Sequence, residues 1–225
     1  MIVITSASRG IGKFLFDKFK QEGKSVIGFY NTTVPSCLDD YYKIDITNEE
    51  EVKLFVTNNK HSFSDLVLIN TAGISYNAFA HKTDFLEWKK VLDVNLLSLF
   101  NLTQQLLPFM REGNYGRIVN FSSVVAQKGV AGTSAYAASK SAMWGLAKSI
   151  CIENASKNIT MNNVNLGYFN IGMIEQVPEL YLQQLITTIP AKRLGEAEEI
   201  LKTINFIIDT PYLNGTSIDL NGGLY

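Results

Sequence analysis

Ile2-Val3-Ile4-Thr5-Ser6-Ala7-Ser8-Arg9-Gly10-Ile11-Gly12 is the stretch that decides the fold. Three apolar residues form a short strand, and a glycine-bearing turn runs directly into a segment whose apolar residues recur with helical period until Gly23. Backbone N–H groups at such a helix start are suited to bind an anion. Gly10 allows close backbone approach and Gly12 allows the helix to pack on the strand. The turn therefore predicts a dinucleotide pyrophosphate site, with an ordinary strand-to-helix turn as the alternative.

Short apolar runs alternate with longer segments of helical period along the rest of the chain, as in β-α units on a parallel sheet. The predicted strands are 2–4, 25–29, 42–44, 66–69, 117–121, 160–164 and 217–220. Long helices are predicted over 84–110 and 134–153, and loops over 31–40 and 167–178. We expect one α/β domain over 1–225: a Rossmann fold with a doubly wound, seven-stranded parallel sheet, helices on both faces, and a short substrate-lid segment near 167–190.

Composition excludes several classes of partner. The 225 residues include 20 basic and 21 acidic ones, a net charge of -1, which gives no attraction for nucleic acid or an acidic membrane surface. No apolar run approaches the roughly 18 residues that a membrane helix needs, and the N-terminus does not read as a secretion signal. Cys37, Cys151, His61 and His81 show no metal-ligand spacing. We expect a cytoplasmic protein with free thiols and no metal.

The choice of cofactor depends on what meets the adenosine 2′ position. A carboxylate at the end of the second strand favours a free hydroxyl there, but this strand runs into Asn31 and is uncharged. Arg9, in the turn, supplies a cation that can pair with a 2′-phosphate. NADP(H) is therefore favoured over NAD(H), the alternative being that Arg9 faces solvent.

A tyrosine and a lysine are spaced for shared chemistry in the helix predicted over 134–153. Tyr136 and Lys140 stand four residues apart, on one helix face. Because a tyrosine ordinarily titrates near about pH 10, a lysine charge beside it is expected to lower its pKa and make it usable in proton transfer. Ser123 follows the fifth strand, where open α/β folds bind ligands, and its hydroxyl can bind a carbonyl oxygen. Asn95 is a polar residue within an apolar helix and requires a hydrogen-bonding reason.

These pieces occur in the order found in the short-chain dehydrogenase/reductase family, and nearly the whole chain resembles its 3-oxoacyl-carrier-protein reductase branch. The turn at 5–12 is similar to the family's glycine motif, Asp45 to its adenine-contacting aspartate, and Asn70-Thr71-Ala72-Gly73 to its Asn-Asn-Ala-Gly motif. The resemblance implies cofactor contacts by Ser6, Ser8, Arg9, Gly10, Ile11, Gly12, Asn31, Asp45, Ile46, Asn70, Ala72, Gly73, Tyr136, Lys140, Gly167 and Ile171.

The resemblance also implies a catalytic tetrad of Asn95, Ser123, Tyr136 and Lys140. Tyr136 passes the proton and Ser123 holds the substrate oxygen while nicotinamide supplies hydride. Lys140 holds the nicotinamide ribose, and Asn95 keeps a water in a proton relay. The implied substrate contacts are Ser123, Tyr136, Tyr168 and Phe169; packing of the lid onto the body is an alternative role for the last two.

Four positions depart from the family pattern. Ser6 replaces the first glycine of the turn and would be strained if its φ is positive, by about 1–2 kcal/mol. Thr71 replaces the second asparagine of the fourth-strand motif. Leu166 stands where a proline is common, and Ile171 where a threonine often binds the nicotinamide carboxamide. Cofactor affinity and lid closure are the properties that these changes put in question.

The leading hypothesis is an NADP-dependent oxidoreductase that interconverts a ketone and a secondary alcohol, with a small-molecule or carrier-bound substrate. Basic residues for a carrier are Arg111, Arg117, Lys128 and Lys157, which a solvated surface explains equally well. Alternatives are a reductase of a sugar or polyketide-like ketone, and a non-catalytic, cofactor-binding regulatory protein. The tyrosine–lysine spacing disfavours an enoyl reductase. Helices 84–110 and 134–153 resemble those through which relatives assemble, which implies a homodimer or homotetramer.

Overall fold

The computed structural model describes the backbone of residues 1–225 and every side chain except those of residues 173 and 176. Its strands are β1 (Ile2–Ile4), β2 (Val26–Tyr30), β3 (Tyr41–Lys43), β4 (Leu66–Asn70), β5 (Gly116–Ser123), β6 (Ile159–Leu166) and β7 (Ser217–Leu220). They form one sheet in the order β3-β2-β1-β4-β5-β6-β7, with every neighbouring pair parallel. The predicted seven-stranded parallel sheet is confirmed, and strand ends shift by at most two residues.

Eight α-helices connect and cover the strands in the described chain. They are α1 (Gly10–Gln21), α2 (Glu49–Asn59), α3 (Phe85–Leu92), α4 (Ser98–Glu112), α5 (Val124–Lys128), α6 (Ser134–Asn154), α7 (Glu179–Thr188) and α8 (Ala197–Asp209). The helices predicted after the first strand and over 134–153 are confirmed as α1 and α6. Helices α2, α5, α7 and α8 were not predicted, although Glu196 and Glu199 form a capping box at the start of α8 that is visible as a sequence signal.

The single long helix predicted over 84–110 is wrong. Asp84 caps α3 by accepting hydrogen bonds from the N–H groups of Leu86 and Glu87. A π-helical turn, Asp93–Leu97, then separates α3 from α4. Such wide turns interrupt helices frequently at functional sites, and this one contains Asn95, whose buried amide is bonded outside the helix.

Helices cover both faces of the sheet, so the doubly wound architecture is confirmed. One core cluster places α2, α4 and α6 against one face. The other places α1 and α8 against the opposite face. Each face of the parallel strands is therefore buried, which explains why β4, β5 and β6 contain only buried residues.

Two connections differ from the others: one lacks the helix expected of a parallel crossover, and the other is largely exposed. The loop 31–40, predicted as a loop, joins β2 to β3 without any helix. The segment predicted as a lid, near 167–190, contains a 3-10 turn (Gly172–Gln176) followed by α7, and none of the described residues of α7 is buried. No helix in the described chain is long and apolar enough to cross a membrane. Cys37 and Cys151 are free thiols, as predicted.

Truncation of Phe55 should measure how far the unpredicted helix α2 stabilises the fold. Phe55 is 4% exposed and packs edge-on against Phe29 at 4.7 Å between ring centroids. We expect Phe55→Ala to lower the free energy of unfolding by about 3–5 kcal/mol in urea titrations. Its helix neighbour Leu54 is 62% exposed, so Leu54→Ala should cost less than about 1 kcal/mol. Equal costs for the two variants would contradict the packing of α2.

Candidate active site

The carboxyl ends of β1 and β4 meet where the strand order reverses, the place where open α/β sheets bind ligands. Thr5 joins these two ends. Its hydroxyl accepts hydrogen bonds from the N–H groups of Thr71 at 3.0 Å and Ala72 at 3.1 Å, and its carbonyl accepts one from the Thr71 hydroxyl. Thr71, which replaces an asparagine of the family motif, thus ties the loop after β4 to the glycine-rich turn. Thr5 belongs to the motif quoted from the sequence, but it was not among the predicted site residues.

The glycine-rich turn has the backbone that a phosphate site requires. Ser6 has φ 50° and Gly10 has φ 52°, so the strain expected for serine is present, at about 1–2 kcal/mol. No side chain caps the N-terminus of α1, and its first turn holds no acidic residue, which leaves N–H groups available to an anion. A Cβ on Gly10 would lie 3.2 Å from the Cα of Gly172 in the lid. The turn therefore fits a pyrophosphate, and the lid covers it closely.

The residues predicted near the adenosine lie around the ends of β2 and β3. Arg9 is exposed and makes no ion pair with the described carboxylates. Asn31 is exposed directly after β2. One oxygen of Asp45 accepts hydrogen bonds from the N–H of Thr47 at 3.0 Å and from its hydroxyl at 2.7 Å. Ile46 packs on the core. Within the described part of the chain Arg9 has no carboxylate partner, which suits an anionic 2′-phosphate.

Ser123, Tyr136 and Lys140 come together where β5 ends beside α6. The Ser123 side chain lies beside the Tyr136 phenol, and its hydroxyl accepts a hydrogen bond from the N–H of Val125 at 3.1 Å. The Lys140 ammonium is buried, donates to the carbonyl of Phe121 at 2.7 Å, and lies 5.6 Å from the centre of the Tyr136 ring. The predicted proximity of these three side chains is thus present in the structure.

Burial moves both titratable groups of this cluster toward their neutral forms. Burial raises the pKa of Tyr136, the hydrogen bond from Ser123 lowers it, and the charge of Tyr168 raises it. Burial lowers the pKa of Lys140 to about 8. The expectation that the Tyr136 pKa falls below its usual value is wrong for this structure, because desolvation of the phenolate outweighs the neighbouring hydrogen bond.

Asn95 connects the π turn to two other parts of the site. Its Oδ1 accepts a hydrogen bond from the N–H of Ile74 at 2.8 Å, and its Nδ2 donates to the carbonyl of Ile74 at 2.9 Å and to the hydroxyl of Ser139 at 3.1 Å. Ser139 in turn donates to the carbonyl of Tyr136 at 2.8 Å. Ser139 was missed by sequence reasoning, although it lies between Tyr136 and Lys140. The water relay assigned to Asn95 stays a prediction.

The loop after β4 brings the predicted ribose-side residues next to the catalytic cluster. A Cβ on Gly73 would lie 3.5 Å from the Lys140 ammonium and 3.6 Å from Asn95 Oδ1. Asn70 is buried and donates to Asn120 at 2.9 Å, which anchors the end of β4 to β5. The cofactor contacts of Asn70, Ala72 and Gly73 remain predictions, but their loop runs from the turn at β1 to Lys140.

On the lid side, the residues after β6 differ in their surroundings. Tyr168 is partly buried near Tyr136, whereas Phe169 is 6% exposed and its ring covers Gly195. Gly167 donates its N–H to the carbonyl of Leu220 at 2.9 Å. Leu166 and Ile171, the departures from the family pattern, both pack on the core. The substrate role of Tyr168 and Phe169 and the cofactor role of Gly167 and Ile171 stay predictions.

The sequence and fold are similar to those of known oxidoreductases. The model of the short chain dehydrogenase family matches residues 1–181. A 3-oxoacyl-acyl-carrier-protein reductase of Haemophilus influenzae is 31% identical over 99% of this chain and 97% of its own length. An acetoacetyl-CoA reductase of Rhizobium meliloti is 34% identical with the same coverages. The ligand-free aldohexose dehydrogenase of Thermoplasma acidophilum superposes with a TM-score of 0.89 at 26% identity, covering 99% of this chain and 92% of that one.

The buried Lys140 should leave a signature in the pH dependence of stability. Its pKa is lowered from 10.5 to about 8, so the unfolded chain binds more protons than the folded chain between these values. Stability contributed by this group therefore rises with pH across that window. We expect the difference in unfolding free energy between wild type and Lys140→Met to change by about 2 kcal/mol from pH 7.5 to 9.5, measured in urea. A difference that does not depend on pH would show that Lys140 is solvated.

Proposed function

The chain belongs to the short-chain dehydrogenase family and is an oxidoreductase acting on carbonyl and CH–OH groups, and we propose that it reduces 3-oxoacyl thioesters with NADPH. The observation that carries this proposal is the meeting of Ser123, Tyr136 and Lys140 at the carboxyl end of β5, beside a turn suited to phosphate. The reductases to which the chain is similar over 99% of its length support the thioester substrate.

In the proposed reaction, bound NADPH supplies the hydride to the carbonyl carbon. The hydroxyls of Ser123 and Tyr136 hold the ketone oxygen, and Tyr136 donates its proton as the oxygen gains charge. The raised pKa of Tyr136 keeps the phenol protonated at neutral pH but makes its proton harder to release. The Lys140 ammonium, 5.6 Å from the ring centre, stabilises the resulting phenolate and has hydrogens left for ribose hydroxyls. Asn95 supports the relay that returns a proton to Tyr136.

NADP(H) is proposed over NAD(H) because the side chains around the glycine-rich turn supply a positive charge for the 2′-phosphate. Arg9 is a cation without an ion-pair partner among the described side chains, and the residues that end β2 and follow it, Tyr30 and Asn31, carry no charge at neutral pH. A phosphate on the adenosine would therefore meet one positive charge and no opposing carboxylate from β2.

The carrier attached to the substrate is the less supported part of the proposal. Four basic residues were considered as carrier contacts, and the prediction is wrong for Arg117. This side chain is 3% exposed and donates to the carbonyls of Gly116, Asn158 and Ile208. Arg111 is committed to Asn154 at 2.6 Å. Lys128 and Lys157 are exposed and remain candidates. A coenzyme A thioester, which needs no protein carrier, is therefore the first substrate to test.

A sugar is the second candidate substrate. The structural similarity to an aldohexose dehydrogenase at a TM-score of 0.89 favours it. A polyketide-like ketone has no comparable support. The non-catalytic alternative loses its basis, since the chain is an oxidoreductase and its tetrad residues are all present.

We also propose a homo-oligomer that buries apolar side chains of α3 and α4. Phe85 and Leu86 on α3 and Phe100 on α4 are exposed in the single chain, and apolar patches of this kind mark interaction surfaces. Trp144, on α6, donates its indole N–H to Asn165 at 3.1 Å within the chain. A cytoplasmic location remains a prediction.

Loss of the Tyr136 phenol tests the function. We expect Tyr136→Phe to reduce kcat for acetoacetyl-CoA by about 10²- to 10⁴-fold while NADPH affinity falls far less, measured by NADPH oxidation and by fluorescence titration. Tyr212 is fully exposed, so Tyr212→Phe should match wild type. An aldohexose panel, assayed in the oxidative direction with NADP+, separates the two substrate classes. Full activity of Tyr136→Phe would refute the proposed mechanism.

Removal of the Arg9 charge tests cofactor choice. We expect Arg9→Gln to weaken NADPH binding about 10- to 100-fold and to leave NADH binding nearly unchanged. Lys13, one turn further along α1, already pairs with Asp17, so Lys13→Gln should preserve the preference. Equal losses for NADPH and NADH in Arg9→Gln would show that Arg9 does not read the 2′-phosphate.

A further inference from the structure

Tyr41, which the reaction does not use, reaches from the edge strand β3 to the glycine-rich turn. The loop 31–40 supplies no helix between β2 and β3, and the Tyr41 ring instead crosses β2 on the face occupied by α1. Its phenol donates a hydrogen bond to the carbonyl of Ala7 at 3.1 Å. Tyr41 thereby contacts the segment between β1 and α1 that is proposed to hold the pyrophosphate.

The path of the ring depends on a glycine in the neighbouring strand. Gly28 of β2 pairs with Tyr41 of β3. A Cβ on Gly28 would lie 2.8 Å from the Cβ of Ala7 and 2.8 Å from two carbons of the Tyr41 ring. Real contacts of that kind are never so short, so only glycine at position 28 lets the ring and the turn approach each other across β2.

Packing holds the ring in this place. The ring centroids of Phe16 on α1 and Tyr41 lie 4.2 Å apart. The ring centroid of Tyr30 lies 6.5 Å from that of Tyr41, in an edge contact. Burial, together with the charges of Asp17 and Cys37, raises the pKa of Tyr41 to about 12. The phenol therefore remains a hydrogen-bond donor throughout the neutral range.

The bond to Ala7 acts at a strained position. The Ala7 N–H already donates to the carbonyl of Phe29 at 2.8 Å, so with Tyr41 both polar backbone groups of this residue are fixed. Ser6, immediately before it, holds φ 50°, which costs a non-glycine residue about 1–2 kcal/mol. A turn under such strain needs added restraints to keep one conformation, and the bonds at Ala7 supply them.

We propose that Tyr41 is a positioning residue for cofactor binding. By holding the Ala7 carbonyl, it fixes the orientation of the turn and hence of the N–H groups of Ser8, Arg9 and Gly10 that face the dinucleotide phosphates. This inference rests on the proposed function, since it presupposes that the turn binds NADP(H). It assigns Tyr41 no contact with the substrate or with the reacting atoms.

The test compares removal of the tyrosine hydroxyl at two adjacent residues of β3. We expect Tyr41→Phe to bind NADPH about three- to tenfold more weakly in fluorescence titrations, the effect of losing one hydrogen bond from the turn. In steady-state assays, KM for NADPH should rise by a similar factor while kcat at saturating NADPH stays within twofold. Tyr42 follows Tyr41, and among the described residues its hydroxyl bonds only to the half-buried Asn59, at 3.4 Å, so Tyr42→Phe should bind NADPH as wild type does.

A second variant separates positioning from general stability. Gly28→Ala should displace the ring and weaken NADPH binding by a similar factor, and adding Tyr41→Phe to it should cause little further loss. If Gly28→Ala does not fold, the comparison of Tyr41→Phe with Tyr42→Phe still decides. Thermal unfolding without cofactor reports stability separately, and a loss of affinity at an unchanged midpoint supports positioning.

The outcomes distinguish this inference from the proposed function. If wild type binds NADPH and Tyr41→Phe binds it within twofold of wild type, the role of Tyr41 is overturned and the proposed function stands. If Tyr42→Phe loses as much affinity as Tyr41→Phe, the effect is not specific to the bond to Ala7 and the inference is also overturned. If wild type binds neither NADPH nor NADH, both the proposed function and the role of Tyr41 fail.

Discussion

The hydrogen bond from the buried Lys140 ammonium to the Phe121 carbonyl is the constraint on which the site depends. A cation with no carboxylate beside it is costly to bury, and its pKa of about 8 records that cost. The bond fixes α6 against the end of β5, and this in turn sets the Tyr136 phenol beside Ser123. The same ammonium faces the loop after β4, where a ribose would supply the hydroxyl partners it lacks.

The two halves of the sheet differ in the predicted roles of the residues that follow their strands. Strands β3, β2, β1 and β4 end in residues assigned to the cofactor, β5 ends in Ser123, assigned to the substrate, and β6 is followed by residues assigned to both. Thr5 ties β1 to the loop after β4, and Asn95 ties that loop to α6 through Ser139. The glycine-rich turn and Tyr136 are therefore connected through these hydrogen bonds and the backbone of the loop after β4, in keeping with a proposed reaction that needs both in register.

Local signals predicted much of this arrangement. Short apolar runs located the central strands because these are buried on both faces, and the spacing of Tyr136 and Lys140 placed both on one helix. The π turn at Asn95 was not predictable from local signals, and the amide of Asn95 pairs with Ile74, which is distant in sequence. The role of Tyr41 depends on the register with Gly28, and the burial of Arg117 on carbonyls from three separate segments. The raised pKa of Tyr136 follows from packing that no spacing reveals.

The most direct test of the account is the crystal structure of the chain with NADP+. We expect the nicotinamide ribose to lie within hydrogen-bond distance of the Lys140 ammonium and the Tyr136 phenol. The pyrophosphate should lie against the turn at residues 6–12, and the 2′-phosphate should lie beside Arg9. A nucleotide bound elsewhere, or one whose ribose lies away from Lys140 while Lys140 stays bonded to Phe121, would contradict the claim that this buried lysine organises the site.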